Sequence, residues 1–187
     1  MRSLRATILT FAVLLGAATL AGCSVDQAVA PAPPRLTTVS GARGVFVSPF
    51  PEPVIRAQLA LASDGLLYTS ESDYPFTWFT AALPPVQSFA SPLTIATMRT
   101  IVGAPADAPA EVISLDAFFA RHIENVDPYD SVAVALVPRY VNLRETLRHT
   151  LPGVQVFRIG AIQVHCYAVG LDRERNVVGL ETVAIET

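Results

Sequence analysis

Glu71 and Asp73 stand two residues apart in the run Ser70-Glu71-Ser72-Asp73-Tyr74-Pro75. Their hard anionic oxygens suit a cation, but they are too few for a metal cage, since magnesium takes about six oxygens and calcium about six to eight. The bland chemistry of the same run is a turn. Ser70 and Ser72 bond nearby backbone, and Pro75 holds Tyr74 extended. The three histidines, His122, His149 and His165, are scattered, and none has a cysteine, carboxylate or second histidine at metal-ligand spacing. His149 falls near the end of a long helical stretch, where a cation suits the dipole. No nucleophile elbow, phosphate loop or dinucleotide loop is present, nor any set of nucleophile, base and orienting group. These residues predict no enzyme, no cofactor and no metal site of the protein's own. Asp172-Arg173-Glu174-Arg175 reads as a solvated hairpin tip.

The elements that would carry the carboxylates follow from apolar periodicity. From Pro53, Ile55, Leu59 and Ala62 form one stripe of a helix, stopped at Asp64-Gly65. After the acidic loop, Phe76 to Ala81 reads as a strand, broken by Leu83-Pro84-Pro85. Ser91-Pro92 reads as a cap followed by proline in the first turn, opening a helix that Gly103 ends. Glu111 to Leu115 is a short strand leading into a short helix over 116–122. Residues 129–150 predict a long helix kinked or divided near Val137, because Pro138 removes a backbone bond and clashes with the preceding turn. Three alternating runs follow, Val154–Ile159, Ile162–Val169 and Val177–Ile185, separated by turns as in an antiparallel meander. The last run reaches almost to Thr187, so the end of the chain can be held in place. Helices with largely antiparallel strands predict an α+β fold.

The N-terminus belongs to targeting rather than to the fold. Arg2 and Arg5 precede an apolar run from Ile8 to Leu20, and Leu20-Ala21-Gly22-Cys23 has the form of a bacterial lipobox. Residues 1–22 are expected to be a lipoprotein signal peptide, with Cys23 the lipidated first residue. Residues 23–51, rich in proline and alanine, read as an extended tether, although 43–48 could form a short strand. That leaves a domain over 52–187. By resemblance to Gram-negative lipoproteins, Ser24 after the cysteine favours the outer membrane, with the protein facing the periplasm. Cys166, the second of two cysteines, then has no partner and reads as a buried, inert thiol in a strand.

Charge narrows the partners. The 13 basic residues are all arginine, against 16 acidic ones. Losing Arg2 and Arg5 leaves 11 − 16 = −5. An acidic domain is a poor nucleic-acid binder, because phosphate contacts need a basic surface. It would be steered towards a basic protein instead.

Residues 64–76, Asp-Gly-Leu-Leu-Tyr-Thr-Ser-Glu-Ser-Asp-Tyr-Pro-Phe, and the ending Gly-Leu-Glu-Thr-Val-Ala-Ile-Glu-Thr resemble the nuclease A inhibitor family. The resemblance extends from Leu59 to Thr187. It takes in Leu-Asp-Ala-Phe-Phe-Ala-Arg at 115–121, Val-Phe-Arg-Ile-Gly at 156–160 and Val-His-Cys-Tyr-Ala-Val-Gly at 164–170. It implies an α/β/α sandwich and an inhibitor of a sugar-nonspecific, metal-dependent endonuclease. It also implies that Glu71 and the C-terminal Thr187 project into the nuclease active site, where their oxygens approach the catalytic metal. Asp73, Tyr74, Tyr129 and Asp130 are further candidate contacts. The segment Glu124-Asn125-Val126-Asp127-Pro128-Tyr129-Asp130 departs from the family pattern, with proline where relatives carry a tryptophan. The alternative is an envelope protein-binding module that keeps the fold without inhibiting a nuclease.

Overall fold

The structure is a computed structural model that describes residues 45–84 and 92–187. The expected signal peptide, Cys23 and the first part of the expected tether lie outside the described residues.

The centre is a five-stranded sheet in the order β3-β7-β6-β5-β4, antiparallel throughout. Its strands are β3 (Thr77–Ala81), β4 (Ala110–Ile113), β5 (Gln155–Ile159), β6 (Gln163–Leu171) and β7 (Val177–Ile185). Alternation assigns each side chain to a face. Val164, Cys166 and Ala168 of β6 lie with Val156, Val178 and Leu180 under one group of helices. Tyr167, Val169 and Leu171 face the other way with Phe157.

Three helices cover the first face: α1 (Glu52–Ser63), α3 (Leu115–Ile123) and α4 (Ser131–Thr150). The expected stripe of Ile55, Leu59 and Ala62 is buried there, beside Phe118, Phe119, Leu143 and Leu147. The second face carries α2 (Ile95–Val102), anchored by Met98. The result is the expected α+β sandwich of helix, sheet and helix layers.

Four local features differ from the sequence expectation. Helix α2 starts at Ile95, capped by Thr94, whose hydroxyl accepts from Thr97 N at 3.2 Å. Ser91-Pro92 therefore does not open it. Helix α4 is one element through Pro138 and is not divided near Val137. Its start is fixed by Asp130, whose Oδ1 accepts from Val132 N and Ala133 N, each at 3.0 Å. Packing of Tyr140, Leu143 and Leu147 in the core carries the helix past the one bond that proline removes. The expected strand Glu111–Leu115 stops at Ile113, because Ser114 caps α3 by accepting from Ala117 N at 3.1 Å.

The fourth difference is at the chain's entry. Val45 and Val47 pack on the α2 face. Val47 bridges Leu171 in parallel, and Ser48 N donates to Leu171 O at 2.8 Å. The buried Ser48 hydroxyl donates to Thr150 O at 2.6 Å. Residues 45–50 are thus a strap on the folded body and not part of the expected tether.

Candidate functional site

Two three-residue strands, β1 (Leu67–Thr69) and β2 (Asp73–Pro75), form a small hairpin beside the main sheet. The register Thr69↔Asp73 leaves Ser70-Glu71-Ser72 as the turn, with Glu71 at its apex. Ser70 closes that turn twice, donating to Ser72 O from N at 3.1 Å and from Oγ at 3.0 Å. Local serine chemistry therefore does occur, as the bland reading requires.

The same serine reaches further. Its Oγ accepts from Ile185 N at 2.9 Å, while Glu71 N donates to Ile185 O at 3.4 Å. The hairpin is thereby tied to the far end of β7. Beyond β7, Glu186 N donates to Ile162 O at 2.9 Å, and the Glu186 carboxylate pairs with Arg158 of β5. Arg158 also pairs with Glu111 of β4, so one guanidinium clasps the C-terminal segment to two strands.

Thr187 completes the arrangement. Its N donates to Glu71 Oε1 at 3.2 Å, and its hydroxyl donates to the same oxygen at 2.7 Å. Two residues 116 positions apart are joined directly, at an exposed tip where both face solvent. One oxygen of Glu71 is engaged and fixes the rotamer. Oε2 makes no hydrogen bond among the described residues.

A family model for nuclease A inhibitor-like proteins, NuiA, matches residues 54–187. The chain belongs to this family. A comparison with curated proteins finds no match.

In this nuclease A inhibitor-like domain the other candidates divide. Asp73 and Asp130 line one cleft of about 430 Å³, between the hairpin, the end of α3 and the start of α4. Asp130 has a local task as the α4 cap. Tyr74 is half-buried, and its carbonyl accepts from the Thr182 hydroxyl at 3.3 Å, so its backbone helps dock the hairpin. Tyr129 is 93 % exposed, with its N donating to Asp127 Oδ1 at 2.9 Å.

His122 sits beneath the cleft. Its ring stacks on Tyr140 with centroids 4.5 Å apart and meets Tyr68 edge-on at 5.0 Å. Burial, helped by the neighbouring Arg121 and opposed by Asp73, lowers its pKa to about 4. The imidazole is therefore neutral at pH 7. Among the described residues, no group of three or more His, Cys, Asp or Glu could hold a metal ion.

Cys166 is buried and free, and burial pushes its thiol up to about 11, which makes it a poor nucleophile. Asp172 is fully buried rather than solvated. It closes its turn by accepting from Asn176 N at 2.7 Å and Asn176 Nδ2 at 3.0 Å.

Sequence reasoning missed the clasp of Arg158 on Glu186 and the bond from Ile185 to Ser70. One signal was available for the first. Arg158 is the lone charge in the run Val156-Phe157-Arg158-Ile159, and a charge inside an apolar strand demands a partner.

Proposed function

We propose that the domain inhibits a basic, metal-dependent, sugar-nonspecific endonuclease by placing Glu71 and the terminal Thr187 in its active site. The observation that carries this reading is the pair of hydrogen bonds from Thr187 to Glu71 Oε1. They gather the two residues at one exposed tip and orient both. Membership of the nuclease A inhibitor-like family supplies the partner class.

The chemistry is coherent. A nuclease metal held by few protein ligands keeps waters, and a hard anionic oxygen can replace or order one of them. Glu71 Oε2 and the terminal carboxylate then stand where a substrate phosphate oxygen would stand. Carboxylates carried into a cleft lose hydration, which the metal's charge offsets. The clasp from Arg158 and the bond from Ile185 to Ser70 lower the ordering cost, because the tip is formed before the partner arrives.

Lipidation at Cys23 belongs to the same proposal and would hold the inhibitor at the envelope. Two or more acyl chains meet what stable anchoring needs.

Glu71→Ala tests the plug in an inhibition assay against such a nuclease. The expected result is inhibition about 30-fold weaker or more, the loss of one hot-spot contact of about 2 kcal/mol, with the unfolding midpoint nearly unchanged. Equal inhibition by variant and parent would reduce Glu71 to a turn residue.

A further inference from the structure

The cleft beside the tip has a chemistry that Glu71 and Thr187 do not use. Three carboxylates line it, Asp73, Asp127 and Asp130, against one guanidinium, Arg121. Arg121 is held against the cleft wall, donating to Thr69 O at 3.2 Å, so the three carboxylates outnumber one guanidinium. Asp127 and Asp130 each use Oδ1 on nearby backbone. Their Oδ2 atoms and the whole Asp73 carboxylate make no hydrogen bond or ion pair among the described residues.

The walls are apolar. Leu67, Val132 and Leu136 line the same space, and Leu67 and Val132 are exposed. A second observation points to an occupant. His122 is 6 % exposed and lines the cleft, yet its Nε2 is buried with no hydrogen-bond partner. An unsatisfied buried polar atom is costly and rare in folded proteins.

Apolar walls, three carboxylates and a buried imidazole nitrogen without a partner together describe the complement of one side chain. The carboxylates are not arranged to hold a bare metal ion, so a larger cation fits better. We propose that this cleft receives an arginine side chain from the partner protein. The methylene stem lies along Leu67, Val132 and Leu136, and the guanidinium is shared among Asp73, Asp127 and Asp130 with one N–H directed at His122 Nε2. Arginine suits the site better than lysine. Its planar fork carries five donors and is less strongly hydrated than an ammonium, and its bonds to carboxylates are charge-assisted. The inference rests on the reading of the Glu71–Thr187 end as the face that meets a basic nuclease, because Asp73 follows Glu71 by two residues on the same hairpin.

The test uses the full chain in mild detergent and needs no nuclease. The blocked tripeptide acetyl-Gly-Arg-Gly-amide is titrated while the His122 imidazole and the Val132 and Leu136 methyl resonances are followed. Its counterpart with citrulline, the uncharged isostere, serves as control. Saturable millimolar shifts at all three residues are expected with arginine. Binding should be about 5-fold weaker or more with citrulline, the worth of about 1 kcal/mol, and similarly weakened by Asp73→Asn. Glu71→Ala should leave the titration unchanged, so failure of the metal plug would not register here. No saturable shift with the arginine peptide, or equal shifts with citrulline, would overturn the proposal.

Discussion

Glu71 is oriented by the residue that ends the sequence, and that contact was not legible in the residues themselves. Composition makes the 70–75 run a serine turn, which it is, and only the family resemblance singled out Glu71 and Thr187. A bond spanning 116 positions leaves no trace in local periodicity. His122 has no metal-ligand spacing in the sequence, yet its burial gives a sharp prediction at this scale. Folded, it titrates near 4 against an ordinary value of 6.5, so the unfolded chain takes the proton first. The stability conferred by the neutral ring is full above about pH 6.5 and is lost as pH falls towards 4, by up to about 3 kcal/mol. Denaturant midpoints across that window should fall steeply for the parent and less steeply for His122→Phe. A residual slope is expected from carboxylates such as Glu145, held below the usual range by hydrogen bonding from Arg148. Parallel slopes for both proteins would show that His122 is not kept neutral by burial.

Elements were legible where the repeat was long enough to show. The nine-residue strand β7 matches its expected span from Val177 to Ile185, and α1 buries the stripe read from Ile55, Leu59 and Ala62. The β1–β2 hairpin escaped because three residues cannot display a period of two. Its form is decided by docking on β7, which is tertiary. The strap escaped for a related reason: prolines at 49 and 51 mark it as linker, while Val45, Val47 and Ser48 find partners only in the folded body. A fragment beginning at Val45 should therefore unfold cooperatively. One beginning at Glu52 should be less stable by about 2 kcal/mol or more, having lost apolar cover over the α2 face and a buried hydrogen bond. Urea midpoints of the two fragments decide it, and coincident curves would mean that the strap contributes nothing.

Across the whole molecule, the strap and the tip stand at opposite ends of the central hairpin. Val47 bridges Leu171, which pairs with Val177, whereas Gln163 pairs with Ile185 beside the tip. Eight residue steps along β6, at about 3.3 Å each, separate the ends by about 26 Å. The strap at Val45 and Val47 lies at the pole away from Glu71, so an anchor or tag ahead of it is expected to leave the tip free. An addition after Thr187 lies inside the proposed interface. The most direct measurement compares inhibition of a metal-dependent, sugar-nonspecific nuclease by three forms of the full chain: its own ending, two glycines added after Thr187, and a tag placed ahead of residue 45. The metal-plug reading predicts that the glycine extension weakens inhibition about 30-fold or more, because it displaces the terminal carboxylate and adds bulk, and that the N-terminal tag changes nothing. Equal inhibition by the extended and unextended chains would place the terminus outside the interface and contradict the reading.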